Sequence, residues 1–164
     1  MSKQLKAIIL DVDGVIVGEK IGFNSPDPHV DVIKSLKDVQ NSAVPIILCT
    51  AKPHFALKKL ITDAALDNFH ITDGGGVVID PINKTILSKH LIPTSTVSKI
   101  TQALLKANVY TELYTTDNYV IQSSQQCDIT HKHSLVLQCM PQQLESLMLD
   151  LSEIQVTKIM PIAK

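Results

Sequence analysis

Apolar and polar positions divide this chain into two halves of different texture. In the first, short unbroken apolar runs alternate with stretches of helical period. Ala7-Ile8-Ile9-Leu10 and Pro45-Ile46-Ile47-Leu48-Cys49 read as strands buried on both faces, because such strands show continuous rather than alternating hydrophobicity. Residues 69–72 form a third short strand. Between the first two, Val32, Ile33, Leu36 and Val39 make the apolar stripe of a helix. Asp27-Pro28 opens that helix, an N-cap followed by proline at the first helical position. Leu57, Leu60, Ile61 and Ala64, spaced i, i+3, i+4, i+7, predict a second helix. Strand–helix–strand–helix–strand with buried strands predicts a parallel sheet with right-handed crossovers.

The pattern changes near Val77. Residues 77–79 and 85–87 flank Asp80-Pro81-Ile82-Asn83-Lys84 and predict a hairpin. A helix follows from Thr94 or Ser95, with Ile100, Ala103, Leu104 and Ala107 on one face and Asn108 as C-cap. Residues 109–115 and 119–123 predict strands around Thr116-Asp117-Asn118. Residues 129–139 predict a further strand, because Ile129, His131, His133, Leu135, Leu137 and Cys139 share a face at period two. Pro141 precedes a helix with Leu144, Leu147, Met148 and Leu151, and a last strand covers residues 154–160. The expected organisation is an α/β core of three parallel strands over residues 1–80, then a small α+β module on an antiparallel sheet over residues 81–164.

Composition narrows the class of function. A net charge of −1 gives no electrostatic footprint for nucleic acid or an anionic membrane. No apolar stretch approaches the ~20 residues of a membrane span, and the first residues lack the apolar core of a signal peptide. Three cysteines, Cys49, Cys127 and Cys139, form no disulfide framework and fit a reducing cytoplasm.

The chemistry gathers where the three buried strands end. The first delivers Asp11-Val12-Asp13-Gly14, the second Thr50-Ala51-Lys52-Pro53, the third Asp73-Gly74-Gly75-Gly76. In a parallel sheet all three ends lie along one edge, where open α/β sheets bind ligands. Two carboxylates at i, i+2 repel each other, and burial raises the cost. A divalent cation is the simplest relief, and Mg²⁺ held by one or two carboxylates typically meets phosphate. An Asp-Gly turn alone would explain the acidic pair, but not its alignment with Thr50. The three glycines read as entry to the hairpin more readily than as a phosphate cradle. Cys127, His131, His133 and Cys139 match no common zinc spacing and read as half-buried strand residues. Cys49 reads as strand core.

Asp11-Val12-Asp13-Gly14-Val15 resembles the first motif of the haloacid dehalogenase superfamily of phosphohydrolases. Thr50-Ala51-Lys52-Pro53 resembles its second motif, which in the Cof-type and sugar-phosphatase branch commonly reads Thr-Gly-Arg-Pro. The segment from Ile71 to Asp80 is similar to that branch's third strand and hairpin, where an Asn-Gly pair stands in place of Asp73-Gly74, and the α+β module to its inserted cap domain. The resemblance implies a Rossmann-like parallel core and a Mg²⁺-dependent phosphatase of small phosphomonoesters such as sugar phosphates. It makes Asp11 the nucleophile of an aspartyl-phosphate and Asp13 the general acid and base. Asp11 and Asp13, the latter through its backbone carbonyl, hold the Mg²⁺; Thr50, Ala51, Lys52 and Gly14 hold phosphate; Asp73, Gly74, His131 and His133 are substrate contacts.

Two other readings stand beside this one. A phosphomutase uses the same aspartyl-phosphate but passes it to a sugar hydroxyl. The superfamily's third-motif lysine and fourth-motif acidic residues follow the cap, whereas this sequence ends at Lys164. That implies a truncated form, or a non-catalytic half that pairs with a second copy or a complementing chain through the apolar edge at residues 7–10.

Overall fold

A computed structural model describes residues 5–162. The chain forms two compact units, residues 1–88 and 89–164.

In the first unit β1 (Ile8–Leu10) lies parallel to β2 (Ile46–Leu48), Ile8 opposite Ile46. The parallel pairing continues to β3 (His70–Thr72) through a single bridge between Cys49 and Ile71. β3 then turns back on β4 (Val77–Asp80) in an antiparallel pair, and β5 (Thr85–Lys89) completes that sheet. The expected strand order and hairpin are therefore both present. Asp80 sets the hairpin turn by accepting from the Ile82 and Asn83 amides and the Asn83 side chain. Those three donors favour the charged carboxylate and lower its pKa.

α1 (Val30–Asn41) starts later than Asp27-Pro28 suggested. His29 caps it, its Nδ1 accepting from the Asp31 amide, while Asp27 pairs instead with Lys59. The second helical stretch is a 3-10 turn (His54–Leu57) running into α2 (Lys58–Asp63). Leu36, Leu57, Leu60, Ile61 and Ala64 bury against Ile46, Leu48, Val77 and Ile79 in one core. Cys49 corrects the expectation of strand core. Ile46 and Leu48 take the inward positions of β2, so the alternation puts Cys49 outside.

His70 is fully buried on β3, its Nδ1 accepting from the Leu48 amide at 3.2 Å. Burial disfavours the imidazolium and lowers its pKa below 6.5.

The second unit departs further from expectation. α3 (Thr94–Lys106) ends at Ala107, and Asn108 takes the left-handed conformation (φ 54°) one position beyond. β6 (Tyr110–Tyr114) and β7 (Tyr119–Gln122) pair antiparallel as predicted. Residues 129–139, however, are not a strand: α4 (Asp128–Leu137) occupies them. Its buried positions are Thr130, Ser134 and Leu137, spaced i, i+4, i+7. Two of the three are small polar residues, so hydrophobicity showed only an accidental alternation. Cys127 opens the helix, its amide donating to Thr130 Oγ1 in a capping box.

The next element is also corrected. Leu144 lies in a strand, β8 (Gln142–Leu144), and the helix is only α5 (Leu147–Asp150) with a following 3-10 turn. One cause explains both changes. β8 runs parallel to β7, and a parallel neighbour requires a crossover that α4 supplies. The sheet is therefore mixed, in the order β8-β7-β6-β9, with β9 (Lys158–Ile162) starting later than expected.

β6 is buried along its whole length. Leu113 and Val120 pack with Val97, Leu147, Leu151 and Val156. Tyr110, Glu112 and Tyr114 face the other way, where the tyrosine hydroxyls donate to Glu112 at 3.1 and 2.6 Å. His133 of α4 places Nδ1 3.1 Å from both Glu112 oxygens. A carboxylate only accepts, so this nitrogen carries the proton. Burial, with the neighbouring Glu112 charge, raises the pKa of Tyr110 and Tyr114 well above the usual phenol value and keeps them donors.

No described helix is long and apolar enough to cross a membrane. Two outcomes are expected. Glu112→Ala removes the acceptor that Tyr110, Tyr114 and His133 share, leaving Tyr110 with Thr130 Oγ1, and should cost about 2–4 kcal/mol in urea unfolding of the second unit; a loss under about 1 kcal/mol contradicts the network. Because the His70 pKa is lowered on folding, its contribution is complete above the unfolded value of 6.5 and declines as pH falls below it toward the folded value. Unfolding midpoints between pH 7.5 and 5 should fall less steeply in His70→Gln than in the parent, and equal slopes contradict this.

Candidate active site at the parallel strand ends

Past β1 the chain reverses within five residues. The buried Val12 carbonyl accepts from Ile16 and Val17 at 2.9 and 2.8 Å, and Gly14 N–H donates to the Val17 carbonyl at 2.7 Å. Gly14 sits at φ +79°, a conformation glycine adopts without steric cost. The turn holds Asp11 and Asp13 beside the strand end, with Val12 between them in the core. Val12 N–H donates to Asp11 Oδ1 at 2.7 Å and fixes that carboxylate. The Gly14 amide is engaged inside the turn, so its part is conformational.

Backbone hydrogen bonds join the second and third strand ends. Thr50 N–H donates to Ile71, Asp73 N–H to Lys52 and Gly74 N–H to Thr50, all within 3.1 Å. Lys52 N–H donates to Thr50 Oγ1, so that hydroxyl retains its own hydrogen to give. Thr50, Lys52, Thr72 and Asp73 are buried polar residues at this edge. Asp73 has φ +56°, and its Oδ2 accepts from Thr72 Oγ1 at 2.8 Å. The glycines that follow form a 3-10 turn into the hairpin, as expected.

One side-chain contact ties the first strand end to the second. Lys52 Nζ lies 3.0 Å from Asp13 Oδ1. The lysine side chain is 4% exposed and the aspartate 57%, so a buried ammonium meets a carboxylate at the solvent boundary. Among the described residues no three His, Cys, Asp or Glu side chains gather into a metal-binding group. Asp11 and Asp13 instead offer two hard oxygen donors, the number Mg²⁺ uses when it keeps several waters and meets phosphate. Oxygen donors of this kind suit a hard divalent cation. His131 and His133 belong to α4 of the second unit, His131 exposed and His133 on Glu112. Sequence reasoning missed Glu112; its signal is Tyr-x-Glu-x-Tyr at strand period, a buried acid between two hydroxyl donors.

A family model described as haloacid dehalogenase-like hydrolase matches residues 8–163, and the chain belongs to that family. It is 25% identical over 114 residues to the 5-amino-6-(5-phospho-D-ribitylamino)uracil phosphatase YwtE of Bacillus subtilis strain 168, a match covering 70% of this chain and 37% of that protein. Among solved structures, a haloacid dehalogenase subclass IIB sugar phosphatase superposes with TM-score 0.76 at 18% identity, over 95% of this chain and 58% of its own. A haloacid dehalogenase-like hydrolase from Bacteroides thetaiotaomicron gives TM-score 0.74 at 17% identity, over 90% and 54%. These likenesses establish the α/β fold. The chain spans little more than half the length of those structures and about a third of the curated relative.

Gly14→Ala should destabilise the first unit by about 1–2 kcal/mol through the positive φ, since a Cβ there meets nothing within 4 Å. Gly14→Asn should cost less, because asparagine tolerates that region. Thermal unfolding of both variants checks this; an alanine variant as stable as the parent contradicts it.

Proposed function

We propose that this chain carries the phosphoryl-transfer end of a Mg²⁺-dependent phosphatase of small phosphomonoesters. The observation that carries the reading is the convergence of Asp11, Asp13, Thr50 and Lys52 at adjacent strand ends, tied by the 3.0 Å contact between Lys52 and Asp13.

Asp11, oriented by the Val12 amide, attacks phosphorus. As that bond forms, the bond to the leaving oxygen breaks and Asp13, protonated once Lys52 has turned from it to the phosphate, gives its proton to that oxygen. Asp13 then takes a proton from water, which attacks the aspartyl-phosphate, releases phosphate and restores Asp11. The Thr50 hydroxyl and Ala51 amide donate to phosphate oxygens, and Lys52 adds a point charge where arginine would give a bidentate fork. When bound by Asp11 and Asp13, Mg²⁺ would screen the negative charge that separates a carboxylate from a phosphate. Asp73 and Gly74 adjoin the phosphate side as substrate contacts, and the second unit is assigned as the cap. The named substrate of the Bacillus relative is a phosphorylated ribityl compound, and a structural neighbour is named a sugar phosphatase. Both support a phosphorylated polyhydroxy substrate.

A second reading is favoured by the outer edge of β1. Among the described residues no strand pairs with it, and Ile9 is 65% exposed. An unpaired apolar edge recruits another strand, so turnover would then require a second copy or a complementing chain.

Phosphate release from a panel of sugar and sugar-alcohol phosphates, with and without Mg²⁺, tests both readings. Metal-dependent turnover lost by roughly 10³-fold or more in Asp11→Asn is expected. Retained turnover in that variant overturns the mechanism. Turnover that appears only in an oligomeric fraction supports the second reading.

A further inference from the structure

The sheet of the first unit is covered on one side. β1, β2 and β3 follow one another across it, and two right-handed crossovers stepping in one direction put both helices on the same face. Leu36 of α1 and Leu60 and Ile61 of α2 accordingly share a core with Ile46 and Leu48. The register identifies what the opposite face carries. Ile9 pairs with Ile47, Cys49 with Ile71, and Ile71 with Val78, and residues so paired point to the same side of a sheet. Ile9 is 65% exposed, Cys49 is exposed, and Ile47, Ile71 and Val78 are only half-buried. Phe69, two positions before Ile71, is 56% exposed at the margin. Parallel strands of continuous hydrophobicity occur where both faces are covered, and a contiguous exposed apolar patch marks an interaction site.

We infer that this reverse face is an interface between two copies of the chain, each laying the same face on the other. Electrostatics select a second copy. None of the residues that the register places on the face carries a charge, so two identical faces meet without repulsion. Nor does the face offer a charged or amide side chain by which to choose a foreign partner. An isologous two-fold contact requires self-complementarity, and a uniformly apolar face supplies it. Sheets packed in this way stand about 10 Å apart with their side chains interdigitated. The contact differs from strand addition at the open edge of β1. β3 and β4 each have a neighbour on both sides, so a partner reaches Ile71 and Val78 only from the face. Cys49 immediately precedes Thr50, so a copy seated there borders the strand-end site, whatever that site turns over.

Light scattering after size exclusion, over a range of concentrations, compares the parent with Ile71→Lys, Val78→Lys and Leu149→Lys. Leu149 is 81% exposed on α5 of the second unit and serves as the control. Circular dichroism verifies folding, which a lysine on the open face leaves intact because its ammonium reaches water. The parent should run at twice the mass of one chain. Each face variant should weaken association about a hundredfold or more, because a lysine in an apolar contact is left without a counter-charge. Leu149→Lys should associate like the parent. Maleimide labelling of Cys49, mapped by mass spectrometry, should be slow in the parent and fast in the face variants. A monomeric parent overturns the inference, as does a dimer that survives both folded face variants or one that Leu149→Lys dissolves equally. Fast Cys49 labelling in a dimeric parent also overturns it, without any variant having to fold.

Discussion

A buried ammonium must find a negative partner, and in the first unit Lys52 finds Asp13. That requirement connects two strand ends that backbone pairing alone would leave independent. β1 and β2 are hydrogen-bonded as far as Leu10 and Cys49; beyond that point the chain segments separate into two loops. The ion pair joins those loops again across the edge where the polar side chains emerge. The amides of Thr50, Asp73 and Gly74 extend the same tie to the third strand end. The site is thus a property of parallel topology, in which carboxyl ends coincide, completed by one charge contact.

The legible part of the fold was the part written in hydrophobicity. Ile46 and Leu48, Leu36, and Leu57, Leu60, Ile61 and Ala64 enter the core at the periods their spacing implied. The strand-end residues were legible because chemistry-bearing side chains directly follow apolar runs. α4 was not legible, since its inward face is built from Thr130 and Ser134 rather than from large apolar residues. Reading that segment as a strand also forced an antiparallel sheet. With the helix in place, β7–α4–β8 becomes a parallel crossover unit. The side-chain pairing of Lys52 with Asp13 was equally hidden, because the two stand 39 positions apart in the sequence and nothing in it marks either as the other's partner.

Glu112 shows the same rule in the second unit. A carboxylate sealed between a sheet and a helix is tolerable because two tyrosine hydroxyls and one imidazole nitrogen all donate to it. That geometry also fixes which nitrogen of His133 is protonated and pins α4 to β6. In both units a buried charge decides how two elements of separate sequence register meet, while apolar packing supplies most of the stabilisation.

In the proposed mechanism Asp11 forms a covalent bond to phosphorus. The measurement that tests it most directly is rapid acid quenching of the protein with a ³²P-labelled phosphodonor and Mg²⁺, followed by mass spectrometric mapping of the labelled residue. A hydroxylamine-sensitive phosphoryl group on Asp11 is the expected result. Label mapped to any other residue, or steady turnover with no labelled protein at any quench time, would contradict it.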